Sequence, residues 1–367
     1  MKKKEKAYSI ALASMFIILF FIFVSSMATA SPEQNPQTIA PPEISSGAGD
    51  SSEDKVVLNE LSPEGTDTSS ESIQPSALKI TETRITTNGT ASNPDIYGDK
   101  IVWQDNRNGN WDVYIYDIST KKEIHTTNKS DQINPAIYGN LVVWEDERNG
   151  GHDIYVEDLS AKIQTRITTS GEASTPDIYG NKIVYVKQAY NERESWYDLY
   201  MYDLSTKKET QIPTRISAHG PSIYGNKIVW LDFDAFNGGD YYIYMYDLST
   251  KTQTQIAKGD WGKDDIGVPD IYNNRIVYEA DRNGNWWEIY MYDLSTKKET
   301  QITSSPGAQT CPAIYGNRIV WEDDGGEDDG NTNHGIYMYD ISTKQKLKIS
   351  AKESAYYPAI YGNNIVW

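Results

Sequence analysis

A phrase of about ten residues occurs seven times in this 367-residue chain, and it limits the possible folds more than any other feature. It first reads PDIYGDKIVW, from Pro94 to Trp103. Its proline returns at spacings of 41 to 48 residues, at Pro135, Pro176, Pro221, Pro269, Pro312 and Pro358. A period of this length is typical of supersecondary units that bury their core against their neighbours.

Each repeat resolves into four short predicted strands, named A to D. Strand A is the Pro-x-Ile-Tyr segment, and a Gly-Asn or Gly-Asp turn leads into strand B, Ile-Val-Trp. Strand C is Ile-Tyr-Met-Tyr, and an Asp-Leu-Ser-Thr-Lys turn leads into strand D. Apolar residues at consecutive positions of strands B and C indicate that both faces of each small sheet are buried. Four-stranded sheets repeated in this way predict an all-β fold, a β-propeller whose blades are these sheets.

The number of blades follows from counting strands. Six units contain all four strands, and a seventh ends after its strand B at Trp367. Upstream, residues 83–87 match a strand D that has no strands A to C before it. We therefore predict seven blades, the last one combining both ends of the chain and lacking a strand C, which suggests a chain truncated after Trp367. A six-bladed ring is the alternative, and it leaves three strands unexplained.

Two segments precede the predicted propeller of residues 79–367. Residues 1–30 combine four lysines, an apolar run over residues 10–24 and a small-x-small ending, so they predict a signal peptide or a retained N-terminal membrane anchor. Residues 31–78 are rich in Pro, Ser and acidic residues and predict a disordered acidic linker. We therefore expect an extracellular or cell-surface location.

Composition excludes several function classes. The chain has 52 acidic and 34 basic residues and a net charge of −18, which argues against nucleic-acid binding. The net charge of residues 1–30 is +3 and that of residues 31–78 is −8, which leaves −13 on residues 79–367. One cysteine and four scattered histidines provide no disulfide and no zinc-ligand spacing. Because no nucleophile elbow, phosphate-binding glycine loop or HExxH motif occurs either, we expect no catalytic residues.

The candidate binding residues lie in the loops that differ between repeats. Strand alternation puts the B–C and D–A loops on one face of the ring, where variable loops on a rigid scaffold usually carry binding sites. The candidate ligand-binding residues on this face are Tyr190, Trp196, Asp232, Asp234, Phe236, Trp261, Asp264 and Asp265. Such rings can stack on sugars while carboxylates accept hydroxyl hydrogen bonds. The alternative is that the rings pack between loops and the acids only maintain solubility.

Other motifs in the loops carry separate expectations. An acidic, glycine-rich loop offers oxygen ligands for calcium at Asp323, Asp324, Asp328 and Asp329, although such loops are usually just solvated. No other cofactor is expected. Two N-x-[ST] sequons, at Asn88 and Asn128, are candidate glycosylation sites. The repeated Asp-x-Arg-Asn-Gly motif predicts a structural turn between strands B and C.

The repeats resemble those of a known family. Units of the form PxIYGNxIVW, DxRNGxWD and IYMYDLST resemble TolB-type propeller repeats and are most similar to the tandem propellers in surface proteins of methanogenic archaea. The resemblance covers residues 79–367 and implies an envelope or adhesion module without catalysis of its own.

Taken with the motifs, this resemblance leads us to expect an exported, non-catalytic propeller. Its expected partners are envelope proteins or surface glycans, with membrane contact only through the N-terminal segment if that segment is uncleaved. One alternative is a carbohydrate-active enzyme of propeller fold, a polysaccharide lyase or a glycosidase. Such an enzyme should cluster two or three carboxylates with perturbed pKa values at the channel mouth. Another alternative is a targeting module of a longer surface protein.

Overall fold

The computed structural model describes residues 57–63, 78–86, 90–191, 194–234, 239–282, 284, 286–326, 334–350 and 355–367. All regular elements in these ranges are β-strands, which form seven sheets. The leader of residues 1–30 and most of the expected linker lie outside the described residues. Within the described ranges, no helix has the length and apolar character needed to cross a membrane.

Six sheets are each built from consecutive strands, and we call them blades 1 to 6. Blade 1 contains β3 (Ser92–Tyr97), β4 (Lys100–Asp105), β5 (Asp112–Asp117) and β6 (Lys122–His125). Blade 2 contains β7 (Gln132–Tyr138), β8 (Leu141–Asp146), β9 (Asp153–Asp158) and β10 (Ile163–Arg166). Blade 3 contains β11 (Ala173–Tyr179), β12 (Lys182–Tyr190), β13 (Ser195–Asp203) and β14 (Lys208–Ile212).

The other three consecutive blades follow the same order. Blade 4 contains β15 (Ala218–Tyr224), β16 (Lys227–Phe233), β17 (Tyr241–Asp247) and β18 (Thr252–Gly259). In blade 5, strand A is divided into β19 (Asp265–Ile266) and β20 (Asp270–Tyr272), followed by β21 (Arg275–Asp281), β22 (Glu288–Asp293) and β23 (Lys298–Gln301). Blade 6 contains β24 (Gln309–Tyr315), β25 (Arg318–Asp323), β26 (Gly335–Asp340) and β27 (Gln345–Lys348).

The seventh sheet joins the two ends of the ring. Its strand order is β2 (Leu78–Arg84), β1 (Val57–Pro63), β29 (Asn364–Val366) and β28 (Ala359–Tyr361). Strand β1 pairs antiparallel with β2 on one side and with β29 on the other. The sheet therefore takes its strands C and D from one end of the ring and its strands A and B from the other.

This sheet corrects two expectations. The strand C that the sequence count lacked is β1, which lies inside the expected linker of residues 31–78, so the linker prediction is wrong for residues 57–63. Strand β1 has only seven residues, and the acidic, Ser-rich residues around it dominate the composition of the segment. The expected strand D also begins earlier, at Leu78, because it pairs along the whole length of β1. The propeller of four-stranded blades is confirmed. Six blades are complete within consecutive strands, as in the six-bladed alternative, and the seventh sheet is assembled from the two ends of the ring.

The central channel is narrowed by a closed ring of tyrosines. Strand A of each sheet lies innermost and ends in a tyrosine that contacts the tyrosines of both neighbouring sheets, with ring centroids 4.5–4.8 Å apart. The ring consists of Tyr97, Tyr138, Tyr179, Tyr224, Tyr272, Tyr315 and Tyr361. We call the end of the molecule that carries these tyrosines and the A–B and C–D turns the turn face. The opposite end, with the B–C and D–A loops, is the loop face.

The core lies between the blades. Trp103, Trp144, Trp230 and Trp321 at the ends of the strand-B motifs are fully buried, and each lies near a tyrosine of strand C. Neighbouring isoleucines and valines of strand B are fully buried as well. Side chains at consecutive positions are thus buried on both faces of a sheet, as the strand pattern predicted.

Candidate functional site

Among the described strands, those of the B–C hairpin in blade 3 are the longest on the loop face. Strands β12 and β13 have nine residues each and pair as far as Tyr190 opposite Ser195, whereas β8 and β9 of blade 2 have six each. Tyr190 at the end of this hairpin is 69% exposed. The loop face is therefore uneven, with blade 3 extending beyond blade 2.

A shallow groove of about 390 Å³ lies beside this hairpin. Its lining includes Trp196, Asp198, Gln211 and Arg215. The Trp196 indole nitrogen donates to the Asp198 carboxylate at 3.1 Å, which orients the ring. The Arg215 guanidinium lies 4.2 Å from the ring centroid of Tyr242 in blade 4. The groove thus combines an aromatic ring with hydrogen-bond donors and acceptors, a combination suited to a hydroxylated ligand.

Trp261 forms an aromatic platform on blade 4. Its side chain is 56% exposed, and its ring lies 5.5 Å from that of Phe233 and 6.4 Å from that of Tyr241. A Cβ at Gly239 would lie only 2.2 Å from the Trp261 ring, so the indole packs directly on the glycine backbone. One side of Trp261 is therefore supported by protein and much of the remainder faces solvent. The exposed side of the indole can therefore stack on a ligand ring without a change in the packing of the supported side.

The predicted acids on this face have mainly structural contacts. Asp232 is fully buried and accepts hydrogen bonds from the main-chain N–H groups of Arg215, Ile216 and Ser217. Asp234 is also buried, and Asp265 accepts the Gly262 N–H. Asp264 is half-buried, and Phe236 lies outside the described residues. Of the predicted rings, Tyr190 and Trp261 are exposed and Trp196 is half-buried, whereas Asp232 and Asp265 accept main-chain hydrogen bonds within the loops.

A polar channel mouth, which the sequence analysis missed, lies at the inner edge of the loop face. In five strands A the register shifts before the proline, and in most sheets the residue preceding it has a positive φ of 49–52°. In three of these sheets its N–H donates to a strand-B side chain of the preceding blade. Asn134 donates to Gln104 and Thr175 to Glu145, both at 2.7 Å. The same contact joins Cys311 to Glu279 at 2.5 Å.

Three histidines lie around this mouth. His152 lies between two carboxylates, 3.4 Å from Glu145 and 3.3 Å from Glu147, and the interaction with Glu145 raises the pKa of the imidazole. His334 lies 3.6 Å from Glu322. His219 is packed edge-on against Tyr197, and its burial lowers its pKa to about 4. The mouth is acidic, and two of its histidines pair with its carboxylates.

Deeper in the channel, three aspartates join neighbouring blades. Asp95 accepts the N–H of Ile96 in its own strand and that of Ile137 in the next blade, both at 2.8 Å. Asp177 and Asp270 make the same pair of contacts between blades 3 and 4 and blades 5 and 6. Burial raises the pKa of Asp95 to about 6 and that of Asp177 to about 7. These perturbed carboxylates are engaged in connecting blades.

The calcium loop is only partly described. Asp323 accepts the Gly325 N–H at 3.1 Å and the Lys346 ammonium at 3.2 Å, and Asp324 accepts the N–H of Ala308. Asp328 and Asp329 lie outside the described residues. Within the described ranges, no group of three or more acidic, histidine or cysteine side chains is placed to hold a metal ion. Calcium binding stays a prediction, as does glycosylation at Asn128 and at Asn88, the latter outside the described residues.

The Asp-x-Arg-Asn-Gly motif forms the predicted B–C turn. The Asp105 carboxylate accepts hydrogen bonds from both the main-chain N–H and the guanidinium of Arg107, and Asp146 does the same for Arg148. The guanidinium of Arg107 stacks 4.1 Å from the Tyr114 ring centroid. The motif is therefore a turn that also covers the blade core.

Solved structures with a similar fold agree with this architecture. An oligogalacturonate lyase in complex with manganese has a TM-score of 0.54 and 14% identity, over 81% of this chain and 86% of that one. A puromycin-hydrolyzing peptidase of Mycobacterium tuberculosis has a TM-score of 0.56 and 12% identity, over 74% of this chain and 48% of that one. The chain has a β-propeller fold.

TolB from Acinetobacter baumannii is also among the structural neighbours, with a TM-score of 0.45 and 16% identity, over 75% of this chain and 71% of that one. No protein-family model and no curated protein matches the sequence. At these identities the likeness concerns the fold alone.

Proposed function

We propose that this protein is an exported, non-catalytic propeller that binds carbohydrate at the cell surface through its loop face. The observation that carries the proposal is Trp261, an exposed ring held on one side by Phe233, Tyr241 and the backbone of Gly239. A supported, exposed indole loses little side-chain freedom when a sugar ring stacks on it. Export follows from the leader pattern of residues 1–30.

The polar groups near the exposed Trp261 and the half-buried Trp196 favour an uncharged or amino sugar. Asp240 and Asp260 lie within 3.2 Å of the Lys258 ammonium, close to the Trp261 platform, and Asp198 lies in the Trp196 groove. Carboxylates accept hydrogen bonds from sugar hydroxyls but repel uronates and sulfates. The carboxylates of the channel mouth also repel anionic sugars. We therefore propose neutral or amino sugars of the cell envelope as ligands.

The test is binding of the full chain to an array of neutral, amino and acidic oligosaccharides. Trp261→Ala should weaken binding to the retained glycans about tenfold, the value expected for one lost stacking contact. Gly239→Ala should weaken it too, because the added methyl group displaces the ring. Ile163→Ala changes another exposed apolar side chain, in strand D of blade 2, and should have no effect. Unchanged binding by Trp261→Ala, or binding only to acidic glycans, would overturn the proposal.

The carbohydrate-active enzyme remains the second candidate because burial raises the pKa of Glu279 at the channel mouth to about 7. Against it, the Glu279 carboxylate already accepts the Cys311 N–H, and Asp95 and Asp177 connect blades. Incubation with polygalacturonate and with neutral polysaccharides separates the two candidates. An enzyme releases unsaturated or reducing ends, and Glu279→Gln abolishes that release. A binding propeller releases neither.

A further inference from the structure

We propose that the turn face is a docking surface for a flat anionic lipid surface, which it contacts through a ring of lysines. This surface is separate from the loop face, and the proposal does not depend on the carbohydrate function. Its basis is the charge of the turns and the backbone positions of the lysines.

The turn face is basic in an acidic protein. We count each A–B turn from the end of strand A to the start of strand B, and each described C–D turn from the end of strand C to the start of strand D. These turns hold fourteen basic and seven acidic residues, a net charge of +7. Because residues 79–367 carry −13 in total, the rest of that segment carries −20. The charge is therefore strongly separated within the molecule.

Lysine occupies a backbone position that other residues fit better. In each of the six described C–D turns, one residue has a φ of 54–58°, and in every case it is lysine: Lys121, Lys162, Lys207, Lys251, Lys297 and Lys344. Glycine and asparagine adopt this left-handed conformation more readily. The A–B turns of the same face do use them, with glycine in six sheets and Asn273 in blade 5, at φ of 56–63°. The side chain, and not the backbone, therefore accounts for lysine in the C–D turns.

The six lysines are exposed and occupy equivalent turn positions in six blades around the ring. None of these six described residues forms an ion pair within 4 Å. In four of the six turns, the preceding aspartate accepts the main-chain N–H groups of both the serine and the threonine. In the other two, Asp117 accepts the Thr120 N–H and the Ser119 hydroxyl, and Asp158 accepts the N–H groups of Ser160 and Ala161. Repeated geometry in blades arranged around one axis places the lysines at equivalent heights. Such a ring matches a plane of anionic headgroups better than it matches one linear polymer.

The contact would be electrostatic, without insertion into the bilayer. The isoleucine or leucine of each described C–D turn, such as Leu204 or Leu248, packs against the core between blades. Among the described turn residues, Ile163 is the one large apolar side chain that is mainly exposed. Each lysine side chain near an anionic bilayer contributes separately to the binding free energy, and the contribution of each decreases as the salt concentration rises.

The acidic loop face does not cancel this attraction. Strands of six residues separate the two faces by about 20 Å, whereas charges in physiological salt are screened beyond about 8 Å. Strand direction places both Val57 and Trp367 at the loop face, so the chain leaves the turn face free at these two points. A second copy could offer an acidic loop face to the lysines, but the blade 3 hairpin makes that face uneven. The flat partner is therefore the better fit.

Cosedimentation with vesicles tests the proposal. The full chain is mixed with neutral phosphatidylcholine vesicles and with vesicles containing 30% phosphatidylglycerol, at about 50 and 300 mM salt. One variant changes all six lysines to asparagine, which suits the left-handed backbone, and a second changes them to arginine, which keeps the charge. Residues 1–30 and the acidic connection between β1 and β2 are the same in all three proteins. Differences between them therefore report on the turns.

The original protein and the arginine variant should prefer anionic over neutral vesicles, and high salt should weaken that preference. The asparagine variant should lose the preference by about 100-fold or more, as expected for the removal of six lysines. Circular dichroism and the urea midpoint confirm that this variant folds. Equal binding by the asparagine variant, or no preference of the original protein for anionic vesicles, would overturn the proposal. So would lysine-dependent self-association in analytical ultracentrifugation without vesicle binding.

Discussion

The turn face and the loop face are the two ends of the same strands, yet their backbone groups are satisfied differently. On the turn face, most of the described C–D turns use the same contacts, with Asp203 capping Ser205 and Thr206 as Asp293 caps Ser295 and Thr296. On the loop face, equivalent strand-B positions have different partners. Asp105 holds Arg107, whereas Asp232 holds three main-chain N–H groups of another loop. The turn face therefore has the same hydrogen-bond pattern in most blades, whereas the pattern on the loop face differs from blade to blade.

This difference separates two kinds of binding surface. A repeated turn can display only a repeated chemical group, and six lysines suit a partner that is itself uniform. Loops of different length can bring unlike residues together, as Phe233, Tyr241 and Trp261 show on blade 4. A discrete ligand such as an oligosaccharide requires such a set.

The largest effect is expected in the channel between the two faces, where pH should change stability through Asp177. Its pKa is about 7 in the folded protein against 3.8 as the reference value. Its contribution to stability is therefore full below pH 4 and is lost as the pH rises through 7, in total on the order of 4 kcal/mol. Asp177→Asn should flatten the decline in unfolding free energy between pH 4 and 8, measured by urea denaturation.

The control for this measurement is Asp264→Asn on the loop face, which should keep the original pH profile. His219 acts in the opposite direction, because its folded-state pKa of about 4 favours the folded state at neutral pH. Because His219 is present in both Asp177→Asn and Asp264→Asn, its contribution to the pH dependence cancels when these variants are compared. Identical pH profiles for Asp177→Asn and the original protein would show that this carboxyl group titrates normally.

On the loop face, removal of Asp232 should destabilise the protein strongly. Asp232→Ala leaves the N–H groups of Arg215, Ile216 and Ser217 without their acceptor in a fully buried position. We expect a loss of about 3 kcal/mol in unfolding free energy. The half-buried Asp264→Ala should cost less than about 1 kcal/mol. A small effect at Asp232 would mean that the loop refolds around other acceptors and that this face is less rigid than its contacts indicate.

On the turn face, equivalent substitutions should have equal effects. Asp203→Ala, Asp247→Ala and Asp293→Ala each remove one carboxylate that caps the main-chain N–H groups of a serine and a threonine at the surface, so each should cost about 1 kcal/mol in unfolding free energy. Urea midpoints of the three variants should agree within about 0.5 kcal/mol. A wide spread among them would contradict the claim that repetition fixes this face.

The repeat allowed most of the fold to be predicted, because each strand ends in turn residues whose chemistry is local. Strand β1 was not predicted, because its partner β29 lies at the other end of the chain and its flanks are acidic and polar. Trp261 was a candidate binding residue because of its position outside the strand pattern, and its exposure keeps that prediction open. The channel mouth was not, because Glu145 and Thr175 occupy ordinary strand positions and only a bulge turns them toward each other. The sequence feature that could have indicated the channel mouth is the variation between repeats at the residues before each proline and after each strand-B aromatic residue.

The smallest effect has the opposite sign and bears directly on the lysine ring. Lysine at a positive φ is strained relative to asparagine or glycine, so Lys207→Asn should stabilise the fold by up to about 1 kcal/mol. Gly180→Lys, at the left-handed position of the A–B turn in the same blade, should destabilise it by about 1–2 kcal/mol. Urea denaturation measures both. If Lys207→Asn is stabilising while the sixfold asparagine variant loses vesicle binding, the lysines are maintained at a cost in stability for the sake of their charge. If Lys207→Asn is destabilising instead, the lysine serves the turn itself, and the backbone argument for a docking surface fails.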